Sequence, residues 1–174
     1  MRTEAQEQYV EYVTGRLPAL RRLAYVLCGD DHHADDLVQQ TITKLYVRWK
    51  RIRDVEHVDQ YVRTMLVRAF VDEKRRPWAR VGLVPQTPDR ADPLGAVDDR
   101  VAEAVVVRAA LTRVPPRQQA VLILRFLCDM PVEDVAAALD CSPGTVKSQT
   151  SRGLAAIRRV LGDMNADAFP GKGR

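Results

Sequence analysis

The chain has 174 residues, 46% of them hydrophobic and 29% charged. That balance supports a packed core and excludes a disordered or fibrous chain. A formal net charge of +4 at pH 7 permits an anionic partner without demanding one, and 6% aromatic residues point to a core of Leu, Val, Ala and Ile. Arginine far outnumbers lysine, which suits forked contacts to phosphate and also accompanies a GC-rich genome.

Three cysteines, Cys28, Cys128 and Cys141, lie far apart without CxxC spacing and are expected as buried free thiols in a reducing compartment. The opening MRTEAQEQYV has no signal-peptide core and no apolar run reaches membrane-spanning length, so a soluble cytoplasmic protein is expected. Alternating Val/Ile/Thr runs bounded by turn dipeptides are missing, so the fold class is read as all-α: two small helical domains, a flexible linker and a C-terminal helix-turn-helix.

In chain order, the first helix is expected from Glu4 to Cys28, with Tyr9, Tyr12, Val13, Leu17, Leu20, Leu23, Ala24 and Leu27 as its apolar stripe. Pro18 should kink or divide it, and Gly29-Asp30-Asp31 should end it. A second helix is expected from Ala34 to Lys50, with Asp35 and Asp36 in its first turn. Leu37, Val38, Thr41, Ile42, Leu45 and Trp49 make its buried face, leaving Asp36, Gln39, Gln40, Thr43 and Lys44 outside. The acids and histidines from Asp30 to Asp36 could suggest a metal site, but capping acids at a helix start explain them more simply, and no metal or cofactor is expected. A basic loop, Lys50 to Val58, leads to a third helix from Asp59 to Arg76, with Tyr61, Val62, Met65, Leu66, Ala69 and Phe70 inward and Arg63, Thr64 and Arg68 outward.

From Pro77 to Asp99 four prolines and several aspartates break the periodicity and mark an acidic linker. Helices follow from Val101 to Arg113 and from Pro116 to Leu127, with Leu111, Val114, Val121, Leu122, Leu124 and Phe126 completing a four-helix core. The last pair of helices is the most informative stretch. Val132, Val135, Ala136 and Leu139 give one apolar face, Asp140-Cys141 turns the chain, Ser142 caps, and Pro143 takes the first helical position. The final helix places Val146, Thr150, Gly153, Leu154 and Ile157 on one seam. Gly144, Ser148, Ser151 and Arg152 lie opposite, with Lys147 and Gln149 on the flanks. From Ser142 to Leu161 there is no Asp or Glu. Small and basic residues on an acid-free helix suit a major groove, where close approach meets base edges and phosphate.

This layout resembles an extracytoplasmic-function sigma factor of bacterial RNA polymerase, of actinobacterial type. AYVLCGDDHHADDLVQQTITKLYVRW is similar to the family's core-binding segment and YVRTMLVRAFVDEKRR to the helix facing the minus-ten element. LTRVPPRQQAVLILRF, with Val114 where Leu is usual, and SPGTVKSQTSRGLAAIRRVL are similar to the second domain's lead-in and recognition helix. The resemblance implies domain boundaries of 1–76, 77–99 for the linker, 100–164, and a frayed tail at 165–174. It implies that Asp36, Leu37, Gln39, Gln40 and Thr43 meet the polymerase β′ coiled coil, Gln40 standing where Glu is common. It implies that Lys50, Arg51, Arg53, Tyr61, Arg63, Thr64 and Arg68 follow the minus-ten strand. It implies that Thr145, Lys147, Ser148, Gln149, Ser151 and Arg152 enter the minus-thirty-five major groove, Gln149 standing where Arg is common. The implied partners are the polymerase core, through β′ and β, promoter DNA, and an anti-sigma factor that masks the polymerase-binding faces. No membrane partner is implied, and the chain would be a monomer within the holoenzyme.

Two other classes compete. A stand-alone regulator would bind duplex DNA as a dimer on paired half-sites, but the alternating strands of a receiver domain are lacking in the first half. An enzyme has no support, because there is no nucleophile elbow, no glycine-rich phosphate loop and no paired carboxylates beyond helix caps.

Overall fold

The computed structural model describes residues 3–76 and 99–168, with side chains described over 3–76 and 103–164. Among the described residues every regular element is helical. The chain divides into two compact units, Met1–Leu83 and Val84–Arg174. The expected linker lies outside the described residues, apart from Asp99.

The first unit packs three helices, α1 (Glu4–Cys28), α2 (Asp31–Ile52) and α3 (Val58–Arg75). Pro18 does not divide α1. It is exposed, and so is Thr14, whose carbonyl loses its intrahelical partner to the proline ring, so water can take the place of the missing bond. Gly29 closes α1 in the left-handed conformation, φ 71°, which glycine adopts without strain. Asp30 then caps α2, its carboxylate accepting the His33 N–H at 2.8 Å, so α2 starts three residues before the expected Ala34. At its other end α2 runs on to Ile52, because Trp49 and Ile52 are both buried and hold one more turn. Lys50 and Arg51 therefore sit in a helical last turn, where the helix dipole favours cations, and not in a loop.

Aromatic and polar ties fix the three helices. The Trp49 ring lies 5.7 Å from Tyr9 and 5.1 Å from Tyr12. The Tyr12 hydroxyl donates to Asp59 at 2.8 Å, and Arg16 reaches the other Asp59 oxygen at 2.6 Å, joining α1 to the first turn of α3. His33 and Glu73 meet at 2.7 Å, joining the start of α2 to the end of α3. Leu37, Leu45, Val62, Leu66, Val67 and Phe70 form the buried centre.

The second unit contains α4 (Asp99–Thr112), α5 (Pro116–Leu122) running into a π turn (Ile123–Leu127), α6 (Val132–Ala138) and α7 (Pro143–Ala168). The π turn overturns one expectation. Phe126 is 57% exposed and Leu127 54%, where α-helical spacing placed Phe126 in the core. The wider turn lets Ile123 and Leu124 stay buried while the next residues rotate outward. α7 remains helical to Ala168, so residues 165–168 of the expected frayed tail are helical, and the rest of that expected tail lies outside the described residues.

The corner between α6 and α7 is a Schellman turn. The Cys141 N–H donates to the Ala136 carbonyl at 3.0 Å, and Asp140 takes the left-handed position with φ 51°. A residue with a Cβ is strained there. Replacing Asp140 with Gly should stabilise this unit by about 0.5–1 kcal/mol, read as a higher urea midpoint with an unchanged slope.

Candidate nucleic-acid interface

The N-terminus of α7 is built by Ser142. Its hydroxyl oxygen accepts the Thr145 N–H at 3.1 Å, and its carbonyl accepts the Val146 N–H at 3.1 Å. Val146 is fully buried, and Gly153 and Ala156 continue the inward seam. Gly153 is required by close approach: a Cβ there would lie 2.9 Å from the Leu122 Cδ1 on α5. With that face against the core, Lys147, Ser148, Ser151 and Arg152 are exposed together. Ser148 anchors its hydroxyl on the Thr145 carbonyl at 3.0 Å, which leaves its oxygen able to accept. Thr145 and Gln149 are half-buried and edge this face; Thr145 shares its hydroxyl with Ser142 at 2.9 Å.

In the first unit, Asp36, Gln39, Gln40 and Thr43 are exposed on α2. Leu37, named with them from the sequence, is 0% exposed. It belongs to the core and can act on that surface only by holding the helix in place. The line Asp36, Gln40, Thr43 continues at helical spacing to Val47, which is 81% exposed and was not singled out from the sequence. A bidentate pair at 2.7 and 2.8 Å commits the neighbouring Asp35 to Arg21, holding its carboxyl below the ordinary value.

Lys50, Arg51, Arg53, Tyr61 and Arg68 are exposed, and Arg63 and Thr64 are half-buried. Arg53 also donates to Gln8 at 2.9 Å. Tyr61, at 37% exposure, departs from its expected inward position. Val67 and Val71, on other sides of α3, are buried; sequence reasoning missed both, although each follows another inward residue by four or five places. The three cysteines form no disulfide and are half-buried, less deep than expected. Burial first, then the Glu73 charge, push the Cys28 thiol up to about 12. No described helix is long and apolar enough to cross a membrane.

Comparison with known proteins falls on these same two units. Residues 13–80 match the Sigma-70 region 2 family and residues 104–157 match Sigma-70, region 4. The chain is 34% identical over 164 residues to the RNA polymerase sigma-E factor of Streptomyces avermitilis, covering 92% of this chain and 89% of that one. It is 30% identical over 149 residues to the ECF RNA polymerase sigma factor SigM of Mycobacterium tuberculosis, covering 84% and 73%. In fold it is similar to the sigma factor RpoE solved with the anti-sigma factor NepR from Bartonella quintana, with a TM-score of 0.66 at 24% identity over 88% of this chain and 96% of that one. It is also similar to CnrH solved with the cytosolic domain of CnrY, with a TM-score of 0.56 at 18% identity over 91% and 90%.

The chain belongs to the sigma-70 family of RNA polymerase sigma factors, within its extracytoplasmic-function class. Proteins of this kind are DNA-binding factors of transcription initiation and not enzymes.

The exposure of Tyr61 is directly testable. Tyr61→Ala should change stability by less than about 0.5 kcal/mol, as for an ordinary surface position. Leu66→Ala, in the fully buried centre, should cost about 2–5 kcal/mol. Paired urea titrations of the two variants read the difference.

Proposed function

We propose that this chain gives core RNA polymerase its promoter specificity. Residues 1–76 would be the module that docks on the polymerase and meets the minus-ten element, residues 100–164 the module that reads the minus-thirty-five element, and residues 77–99 the tether. The observation that carries the reading is the exposed face of α7, free of acid as far as Leu161, with Lys147, Ser148, Ser151 and Arg152 on a helix-turn-helix. In duplex DNA, such a face reads base edges through Arg and Ser and gains affinity from phosphate. In the first unit, the exposed line of Asp36, Gln39, Gln40 and Thr43 supplies a hydrogen-bonding surface for the β′ subunit, with Val47 as its apolar end. Gln40 makes this contact less charged than Glu would. The cations at the end of α2 and along α3, with exposed Tyr61 among them, suit a melted strand, where phosphates need positive charge and an unstacked base needs a ring.

The tether's acidic composition fits a path near the polymerase RNA exit, also through contacts with β. A masking anti-sigma factor fits the same two surfaces, and the Bartonella sigma factor of similar fold was solved with one bound. The place of action is the cytoplasm, as a monomer within the holoenzyme.

The test is co-elution with core polymerase on a sizing column, followed by start-site mapping of transcripts made with and without the chain. A chain that neither co-elutes nor directs a start overturns the reading. Arg152→Ala should weaken binding of the polymerase complex to its promoter by about 1–3 kcal/mol while leaving co-elution intact. Asp36→Ala combined with Gln39→Ala should do the reverse, lowering co-elution while the unbound chain keeps its duplex affinity. Equal loss of one activity in both variants refutes the division of labour.

A further inference from the structure

α6 has only seven residues, and a residue at positive φ stands just beyond each end: Asp129 at 52° before it and Asp140 at 51° after it. Neither is glycine, so each conformation persists only where surrounding bonds hold it. Backbone bonds supply part of that hold. The Met130 N–H donates to the Leu124 carbonyl at 3.0 Å, and the Cys141 N–H to the Ala136 carbonyl at 3.0 Å. The first of these spans one residue more than a Schellman bond, because the preceding turn is π-helical.

Two guanidiniums from the preceding element supply the rest. Arg125, in the π turn, donates Nη1 to the Met130 carbonyl at 2.6 Å. Arg117, in the first turn of α5, donates Nη2 to the Leu139 carbonyl at 3.3 Å. Each accepting carbonyl belongs to the residue next to one of the left-handed aspartates. Both side chains are half-buried, and the Arg125 guanidinium lies 5.9 Å from the Phe126 ring centroid. One stretch of chain thus grips α6 at both ends with charge-assisted bonds.

We propose that Arg117 and Arg125 are positioning residues for DNA reading, fixing the two corners of the helix-turn-helix and so the angle at which α7 presents Lys147 to Arg152. This rests on the reading of α7 as the DNA-recognition helix. α7 follows directly from the Asp140 corner, so a small rotation there displaces every side chain further along the helix. Recognition of base edges is sensitive to such displacement, whereas general attraction to phosphate is not.

The test uses polymerase complexes carrying the wild-type chain, Arg117→Met, Arg125→Met or Arg125→Lys. Methionine keeps much of the apolar stem and removes the donors. The probe is a pool of duplexes randomised over one major-groove turn upstream, together with the sequence the wild-type complex enriches from it. Affinity for that sequence and for a single-base variant is measured across a salt series, with thermal unfolding of each free chain. Both Met variants should lose about tenfold in affinity for the enriched duplex and discriminate less against the single-base variant. Their dependence on salt should match wild type, and Arg125→Lys should recover most of the loss.

Unchanged affinity and discrimination overturn the proposal. So does a loss with discrimination intact and a salt slope shallower by about one, which marks a phosphate ligand. A loss that only tracks unfolding of the free chain overturns it for that residue, and Arg117→Met, which removes the longer bond, is the milder variant for that comparison. If the wild-type complex enriches no sequence, the reading of α7 itself fails. If it does enrich one and the variants bind it equally well, the positioning role alone fails.

Discussion

The second unit depends on how closely α7 approaches α5. At Gly153 a methyl would stand 2.9 Å from the Leu122 Cδ1, so a side chain there would force Leu122 to shift. Packing at that distance excludes solvent from the contact and fixes α7 in rotation as well as position. Val146, about two turns earlier, and Ala156, nearly one turn later, are buried on the same side. Once that seam is inside, the identity of the outer face is no longer adjustable. Lys147, Ser148, Ser151 and Arg152 are outside because Gly153 is inside. The composition of the exposed face then follows from the helix period of 3.6 residues.

The first unit solves a similar problem with larger groups. α2 buries Leu37, Val38, Thr41, Leu45, Trp49 and Ile52. Thr41 is polar, but its hydroxyl donates to the Leu37 carbonyl at 2.8 Å, so its burial leaves no unsatisfied donor. Trp49 wedges against two tyrosines on α1, and Asp59 gathers Tyr12 and Arg16 at the start of α3. These ties hold the inner face of α2, so the Asp36 to Val47 line is free of any packing duty. In both units one face of a helix is fixed by tight internal contact, and the opposite face is left exposed.

The helices and their inward faces were legible because burial imposes a period, and Leu, Val and Ala recur at it. Two helix starts with capping residues were also legible, Ser142 in full and Asp30 with a shift of the boundary. What escaped was anything set by one local competition. A proline reads as a break, yet Pro18 sits on the exposed side, where water can serve the orphaned Thr14 carbonyl, and α1 continues. Phe126 reads as core at α-helical spacing, yet a single π turn moves it outward, and no residue pattern announces that turn. Lys50 and Arg51 read as loop, yet the buried pair Trp49 and Ile52 keeps them helical. The exposure of Asp36, Gln39, Gln40 and Thr43 was legible by elimination. Leu37 was legible as core from its place on the apolar stripe of α2, and only the motif, which names residues by position, grouped it with the exposed ones.

The two departures from the family pattern carry different weight once exposure is known. The resemblance puts Arg where Gln149 stands, but Gln149 is half-buried at the edge of the α7 face, between exposed Lys147 and exposed Arg152. If α7 reads duplex DNA as proposed, a cation missing from an edge would remove at most one phosphate contact and leave the centre of the face intact, so its expected effect is a shallower salt dependence more than a new sequence preference. Gln40 is different. It is exposed in the middle of the Asp36 to Val47 line, with Asp36 one turn before it and Thr43 nearly one turn after. Exchanging a carboxylate for an amide there removes charge from the centre of the proposed docking surface and leaves Asp36 as the anion on that line. Docking would then lean more on Asp36 and on the apolar contact of Val47, and the balance between ionic and apolar attraction would set how strongly salt weakens it.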